Sequence, residues 1–307
     1  MVPRPRIILF SLLALGLGDQ ALALTVVGYN SVVNDRFASG YATAPVPNTS
    51  GSFVGAGLDL SGVGWNPLHP TQSFTMISDE YFVYATHYAP GATIEFFSPA
   101  LYAANPDNPG AAIVTLNVSG TVFRPSTTTI LGTGLSDLSI GKLSSPISNA
   151  YGITSYPILD LPTLNHYLGL TLLTYGHGGT STTSPRLATN TLDEFALVDL
   201  FSPTGVPDSF DFVFDLDTGV GGESYIQSGD SGSPTFVLRE GVLTLIGTHS
   251  AIDPDSDPQL AVDNFIPFYL NQMALAGVEF ATFAPEPGRT SFLLVGLIST
   301  ILRRRRN

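Results

Sequence analysis

Gly229-Asp230-Ser231-Gly232-Ser233-Pro234 is the stretch on which the reading of this chain turns. Ser231 has a glycine two places before it and another directly after it. Those glycines let the backbone turn tightly and present the serine hydroxyl. Gly229 also lets backbone N–H groups approach a substrate carbonyl oxygen. A pair of such donors makes an oxyanion hole, and losing one donor costs about 3 kcal/mol of barrier. A serine hydroxyl alone is a poor nucleophile, so a base must lie within hydrogen-bond reach and an acid must orient that base.

The base comes from five histidines, His69, His87, His166, His177 and His249. His87 directly follows Tyr84-Ala85-Thr86 and the apolar-rich run Tyr81 to Tyr84. A strand end opening into a loop is a good place to project a side chain. Asp137, at the head of an alternating segment, is the candidate acid. An α/β-hydrolase elbow fits poorly. It needs glycine two places after the nucleophile, where this chain has Ser233, and an acid followed by a late histidine, whereas His249 precedes Asp253.

Working outward, period-2 alternation is frequent. Val114, Leu116 and Val118 alternate with polar residues, as do Phe210, Phe212, Phe214 and Leu216 with residues that include Asp211 and Asp215. Val242 to Gly247 reads as a buried strand. Helical periodicity is weak except over about 265–276. With 31 Gly, 23 Pro and 12% charged residues, the pattern predicts an all-β fold of short strands and turns with a late helix. Asn105 to Gly110 and Gly178 to Pro185 read as surface loops.

The absence of cysteine excludes disulfides, thiolate metal sites and a thiol nucleophile. A formal net charge of -13 argues against nucleic-acid binding. Asp253, Asp255 and Asp257 have calcium-loop spacing, but Pro258 replaces the glycine and Asn264 the twelfth-position glutamate, so an EF-hand is excluded and a solvated acidic turn is the simpler reading. No metal and no cofactor is expected.

These segments together resemble the chymotrypsin/trypsin-like serine proteases over most of Val54 to Ala276. Ala85-Thr86-His87 is similar to their Ala-Ala-His segment. Asp137-Leu138-Ser139-Ile140-Gly141-Lys142-Leu143 is similar to their acid-bearing strand, and Gly229 to Pro234 to Gly-Asp-Ser-Gly-Gly-Pro with Ser233 for the last glycine. The resemblance implies two six-stranded antiparallel β-barrels, at about 50–150 and 151–265, followed by the helix. It implies Ser231 as nucleophile, His87 as base and Asp137 as orienting acid, with the N–H groups of Gly229 and Ser231 as oxyanion hole. It places Tyr225 on the floor of the primary specificity pocket, where no carboxylate is available for a Lys or Arg side chain. Ser250 is implied to support the acid and, through the backbone of its strand, to bind substrate along with Tyr225 and His249. His249 stands where glutamyl endopeptidases have a histidine contacting an acidic substrate side chain. Asp230 is present for a new N-terminal amine to pair with, and Val26-Val27-Gly28-Tyr29 faintly resembles such a terminus, but no Lys or Arg directly precedes it.

The two ends read as addresses. Arg4 and Arg6, the apolar run Ile7 to Leu17, and Ala21-Leu22-Ala23 make a secretory signal peptide over 1–23. Pro285-Glu286-Pro287, the apolar run Thr290 to Leu302 and Arg303 to Arg306 resemble the bacterial PEP-CTERM sorting signal over 285–307. Thirteen apolar-rich residues fall short of the ~20 that span a bilayer, so the membrane contact is expected to be transient. The resemblance implies Sec export from a Gram-negative bacterium, processing by signal peptidase and an exosortase, and release to the envelope, outer surface or extracellular matrix. The domain between, 24–284, is expected to be a monomeric exported endopeptidase acting on protein or peptide. Its rivals are a catalytically inactive protease-shaped surface or matrix-binding protein and an extracellular esterase with the same triad. Gly57 to Gly64 and Phe214 to Gly219 resemble segments of exported proteins with that tail and have no chemical role on sequence grounds.

Overall fold

A computed structural model describes residues 6–9, 24–177, 183–199, 206–253 and 256–284. The expected signal peptide apart from 6–9, the whole of the expected sorting tail and Asp255 lie outside these residues.

Six strands close into an antiparallel barrel: β1 (Val63–Trp65), β2 (Ser73–Met76), β3 (Tyr81–Ala85), β4 (Thr93–Phe97), β5 (Ile113–Phe123) and β6 (Leu138–Leu143). Their order is β6-β3-β2-β1-β4-β5, with β5 pairing back onto β6. Alternation sorts the side chains of β3. Phe82 and Tyr84 join Phe74, Met76, Ile94 and Phe96 in one apolar cluster, while Val83 joins a larger cluster shared with the second half of the chain. Each such buried side chain contributes roughly 1.5–3 kcal/mol relative to exposure.

The second half is an antiparallel sheet of β7 (Thr171–Gly176), β8 (Arg186–Thr191), β9 (Glu194–Asp199), β10 (Ser209–Asp215), β11 (Pro234–Arg239), β12 (Val242–Asp253) and β13 (Leu260–Phe265). It runs β9-β10-β13-β12-β11-β7-β8, with Arg6–Leu9 parallel along the β9 edge. A side chain links the separated strands β8 and β10, as Asn190 Nδ2 donates to Asp215 O at 2.7 Å. The shared cluster joins Val63, Val83, Leu138 and Ile140 of the barrel to Phe212, Phe236, Leu245 and Ile246 of this sheet.

The fold is therefore all-β, and the expected late helix is present as α1 (Leu270–Leu275), entered through a 3-10 turn at Ile266–Tyr269. Gln272 of that helix clasps the first half through both its amide atoms, accepting from Ser126 N and donating to Ser126 O. Two short helices had no periodic signal in the sequence, Ser31–Asn34 and Pro99–Ala104. Strand β10 departs from the polar-out reading, since Asp211 is buried like the phenylalanines beside it.

Candidate active site

Strand register brings the first two candidate residues together. In the β6–β3 pair Leu138 stands opposite Ala85, so Asp137 arrives beside Thr86 and His87 as the chain leaves the ladder. Thr86 N–H donates to Asp137 O at 2.5 Å, and His87 N–H donates to Asp137 Oδ1 at 3.1 Å. His87 sits in the 3-10 turn Thr86–Tyr88, and its Nδ1 lies 2.8 Å from Asp137 Oδ2. The Asp137 side chain is fully buried while that of His87 is 32% exposed, so the acid is held and the base is reachable.

The serine turn comes from the other half. Gly232 N–H donates to His249 O, and His249 N–H donates to Ser233 O, pinning the turn to β12. Gly232 has φ 83°, and a Cβ there would meet Ser73 O at 3.0 Å and Ala85 N at 3.2 Å. The turn thus packs directly on β2 and β3, next to His87, and only glycine fits that approach without strain. Ser231 Oγ lies 2.8 Å from His87 Nε2. The N–H groups of Gly229 and Ser231 have no acceptor among the described residues. Asp230 points away from the surface, its carboxylate accepting from His177 N–H and Gln227 N–H.

Strand β12 supplies two neighbouring side chains to two different places. Ser250 Oγ donates to Asp137 Oδ2 at 3.0 Å. His249 points to the opposite face and has no exposed surface. Its Nδ1 lies 2.7 Å from Asp263 Oδ1 and its Nε2 lies 2.8 Å from Tyr175 O. The Tyr175 carbonyl can only accept, so Nε2 carries hydrogen, and opposite an ionised Asp263 Nδ1 carries hydrogen too, which makes the ring an imidazolium. Burial alone lowers its pKa, but Asp263, with smaller help from Asp230 and the Tyr175 carbonyl, raises it overall. The expected contact between His249 and an acidic substrate side chain is therefore corrected. Both ring nitrogens are committed inside the protein, to Asp263 and to the Tyr175 carbonyl.

Tyr225 is buried in the shared cluster, in a two-residue strand whose register sets Ser224 against Val26 and Tyr225 against Thr25. Val26 is thus paired with Ser224 in the uncut chain. Sequence reasoning missed Asp211, buried on β10 near Asp137, Asp208 and Asp263. Burial, reinforced by those carboxylates, pushes its pKa well above the usual range, and Ser209 Oγ donates to its Oδ1. His177, one of the five candidate bases, is buried, and burial and then Arg186 push its pKa down to about 4. Among the described residues no cluster of three or more His, Asp or Glu is arranged to hold a metal ion, and no helix is long and apolar enough to cross a membrane.

A closed six-stranded antiparallel barrel, a second antiparallel sheet and a C-terminal helix make an all-β fold with one late helix. Among solved structures it is similar to a mutant of human heparin binding protein (CAP37). The identity is 15%, the match covers 75% of this chain and 93% of that chain, and the TM-score is 0.49. No protein-family model matches the chain, and no curated protein matches it.

Proposed function

We propose that this chain is an exported serine endopeptidase that works through an acyl-enzyme. The observation that carries the reading is the continuous line of hydrogen bonds from Asp137 Oδ2 to His87 Nδ1 and from His87 Nε2 to Ser231 Oγ, both 2.8 Å. Ser231 Oγ attacks the scissile carbonyl carbon while His87 Nε2 takes its proton. The buried Asp137 fixes the tautomer with Nδ1 protonated and stabilises the imidazolium that forms. The uncommitted N–H groups of Gly229 and Ser231 receive the developing oxyanion. His87 then protonates the leaving amine, the acyl-serine forms, and water activated by His87 releases the acid. If Tyr225 takes the pocket-floor position that the resemblance implies, it offers no carboxylate, so cleavage after Lys or Arg is not expected. Export, tail processing and a monomeric state belong to the same proposal and rest on the sequence of the two ends and the acidic domain between them.

Labelling with a fluorophosphonate probe tests it. Wild-type protein is expected to label and to cleave an unstructured protein substrate, and Ser231→Ala to do neither. Labelling with hydrolysis of esters alone would make it an esterase. Absence of labelling in correctly folded protein would leave a protease-shaped binding protein and sink the proposal.

A further inference from the structure

Before the first barrel strand the chain winds through Asn48 to Ser61 and encloses, with Arg36, Phe37, Phe97 and Tyr102, a cavity of about 560 Å³. That volume is typical of small-molecule sites. None of His87, Asp137 and Ser231 lines it. The segment Gly57 to Gly64, without a chemical role on sequence grounds, supplies part of its wall through Gly57, Leu58, Asp59, Leu60 and Ser61. Its glycines are needed by the backbone. Gly57 has φ 78°, and a Cβ on Gly62 would come within 2.2 Å of Thr154 O.

Arg36 is the notable group. It is only 5% exposed, yet no carboxylate lies within ion-pairing distance of it among the described residues. Its recorded side-chain hydrogen bonds all leave from Nη1, at 2.9 Å to Val63 O and 2.9 Å to Tyr175 Oη. The faces of Phe37 and Tyr175 offset part of its charge, with Cζ 4.7 Å and 5.8 Å from the ring centroids. The Nε–Nη2 edge has no acceptor among the described residues. A buried cation without a counter-charge is costly, and that edge of a guanidinium is a fork matched to a carboxylate. The rest of the wall is largely apolar, with Phe53, Leu58, Phe97 and Tyr102. Asp59, exposed at the rim, has its Oδ1 engaged by Ser61 N–H and adds negative charge that disfavours dianions such as phosphate.

We propose that this cavity binds an amphipathic monocarboxylate, an alkyl or aryl acid, with the carboxylate on the Nε–Nη2 edge of Arg36 and the apolar tail against Phe53, Phe97 and Tyr102. The site is independent of the triad. One buried guanidinium neutralises one negative charge, and the aromatic walls favour a ligand with little other polarity.

Calorimetric titration of the full chain with straight-chain carboxylates from hexanoate to dodecanoate, each paired with its neutral alcohol, tests this. A carboxylate is expected to bind saturably, one per chain, and its alcohol at least about tenfold more weakly, since a charge-assisted pair is worth ~1.5–3 kcal/mol. Arg36→Gln should abolish binding, but Arg36 also ties Val63 to Tyr175 and its loss can disturb folding. Thr49→Trp is therefore the second variant, at an exposed rim position of the cavity. It should obstruct the mouth, weaken the carboxylate by at least about tenfold, and leave fluorophosphonate labelling unchanged. No saturable binding of any chain length, equal affinity for acid and alcohol, or unaltered binding in Thr49→Trp would each overturn the proposal.

Discussion

Among the described residues two histidine–aspartate pairs occur, and they are built for different ends. His87–Asp137 and His249–Asp263 have nearly equal separations, 2.8 Å and 2.7 Å. In each, the aspartate also accepts a hydroxyl hydrogen bond, Asp137 from Ser250 and Asp263 from Thr235. The difference is at the far ring nitrogen. His87 Nε2 faces the hydroxyl of Ser231, which can give up a proton, and the ring is partly open to solvent. His249 Nε2 faces the carbonyl of Tyr175, which can only accept, and the ring is sealed. One pair can therefore pass a proton, while the other is a fixed buried ion pair.

The strongest way to break this comparison is to delete each ring. His87→Ala should reduce probe labelling by about 10⁴-fold or more, with a smaller fall in Tm than His249→Ala, because water can enter beside Asp137 where the ring is part-exposed. Rates of probe labelling and a thermal melt check both halves of the statement. A large fall in Tm with modest loss of labelling would mean that His87 is structural.

His249→Ala should do the reverse. It strands the buried Asp263 carboxylate without its cation, which costs about 3–5 kcal/mol. The turn that carries Ser231 leans on the backbone of residue 249, not its ring, so the fraction that stays folded should still label. Replacing both partners, His249→Leu with Asp263→Leu, should recover most of the loss, because no charge is left unpaired. Urea unfolding of the single and double variants gives the coupling directly.

The pH dependence of stability sharpens the contrast more gently. The folded protein raises the pKa of His249 above its ordinary 6.5, so it binds this proton more tightly than the unfolded chain does. The stability the ring contributes is fully present below the unfolded value and is lost as pH rises through the folded one, with a slope of at most about 1.4 kcal/mol per pH unit. His177 acts with the opposite sign. Its pKa is lowered from 6.5 to about 4, so stability falls as pH drops through that window. Urea midpoints across both windows should show an alkaline decline that disappears in the His249→Leu/Asp263→Leu variant and an acid decline that survives in it.

How much of this was legible in the sequence depends on distance along the chain. The all-β class was readable because alternation is local, as in Val114 to Val118. His87, Asp137 and Ser231 could be singled out by the local segments that hold them, and Ser250 by its place on a strand. The fate of His249 was not legible, because its partners Asp263 and Tyr175 lie on other strands and the register of its own strand shifts between residues 249 and 251. The burial of Asp211 was not legible, because β10 is covered on both faces by elements distant in sequence. The helix Pro99–Ala104 was too short to show a period. Its signals were Ser98, whose Oγ caps Leu101 N–H, and Pro99 in the first turn. The Arg36 cavity was invisible, since it depends on which arginine finds no carboxylate after folding.

The smallest effects lie at the two hydroxyls, and there the comparison is cleanest, because neither substitution removes a charge. Ser250→Ala takes one hydrogen bond from Asp137, whose remaining recorded side-chain contacts are the backbone N–H and ring of His87. A less firmly held acid orients His87 less well, so labelling should slow by about tenfold, equivalent to ~1.4 kcal/mol of barrier, with little change in Tm. Thr235→Val removes the corresponding bond from Asp263. That bond supports a pair with no reacting partner, so it should cost about 1–2 kcal/mol of stability and leave the labelling rate unchanged. If Thr235→Val slowed labelling as much as Ser250→Ala, the buried pair would be coupled to the serine turn through β12. The division between a proton-passing and a fixed pair would then be wrong.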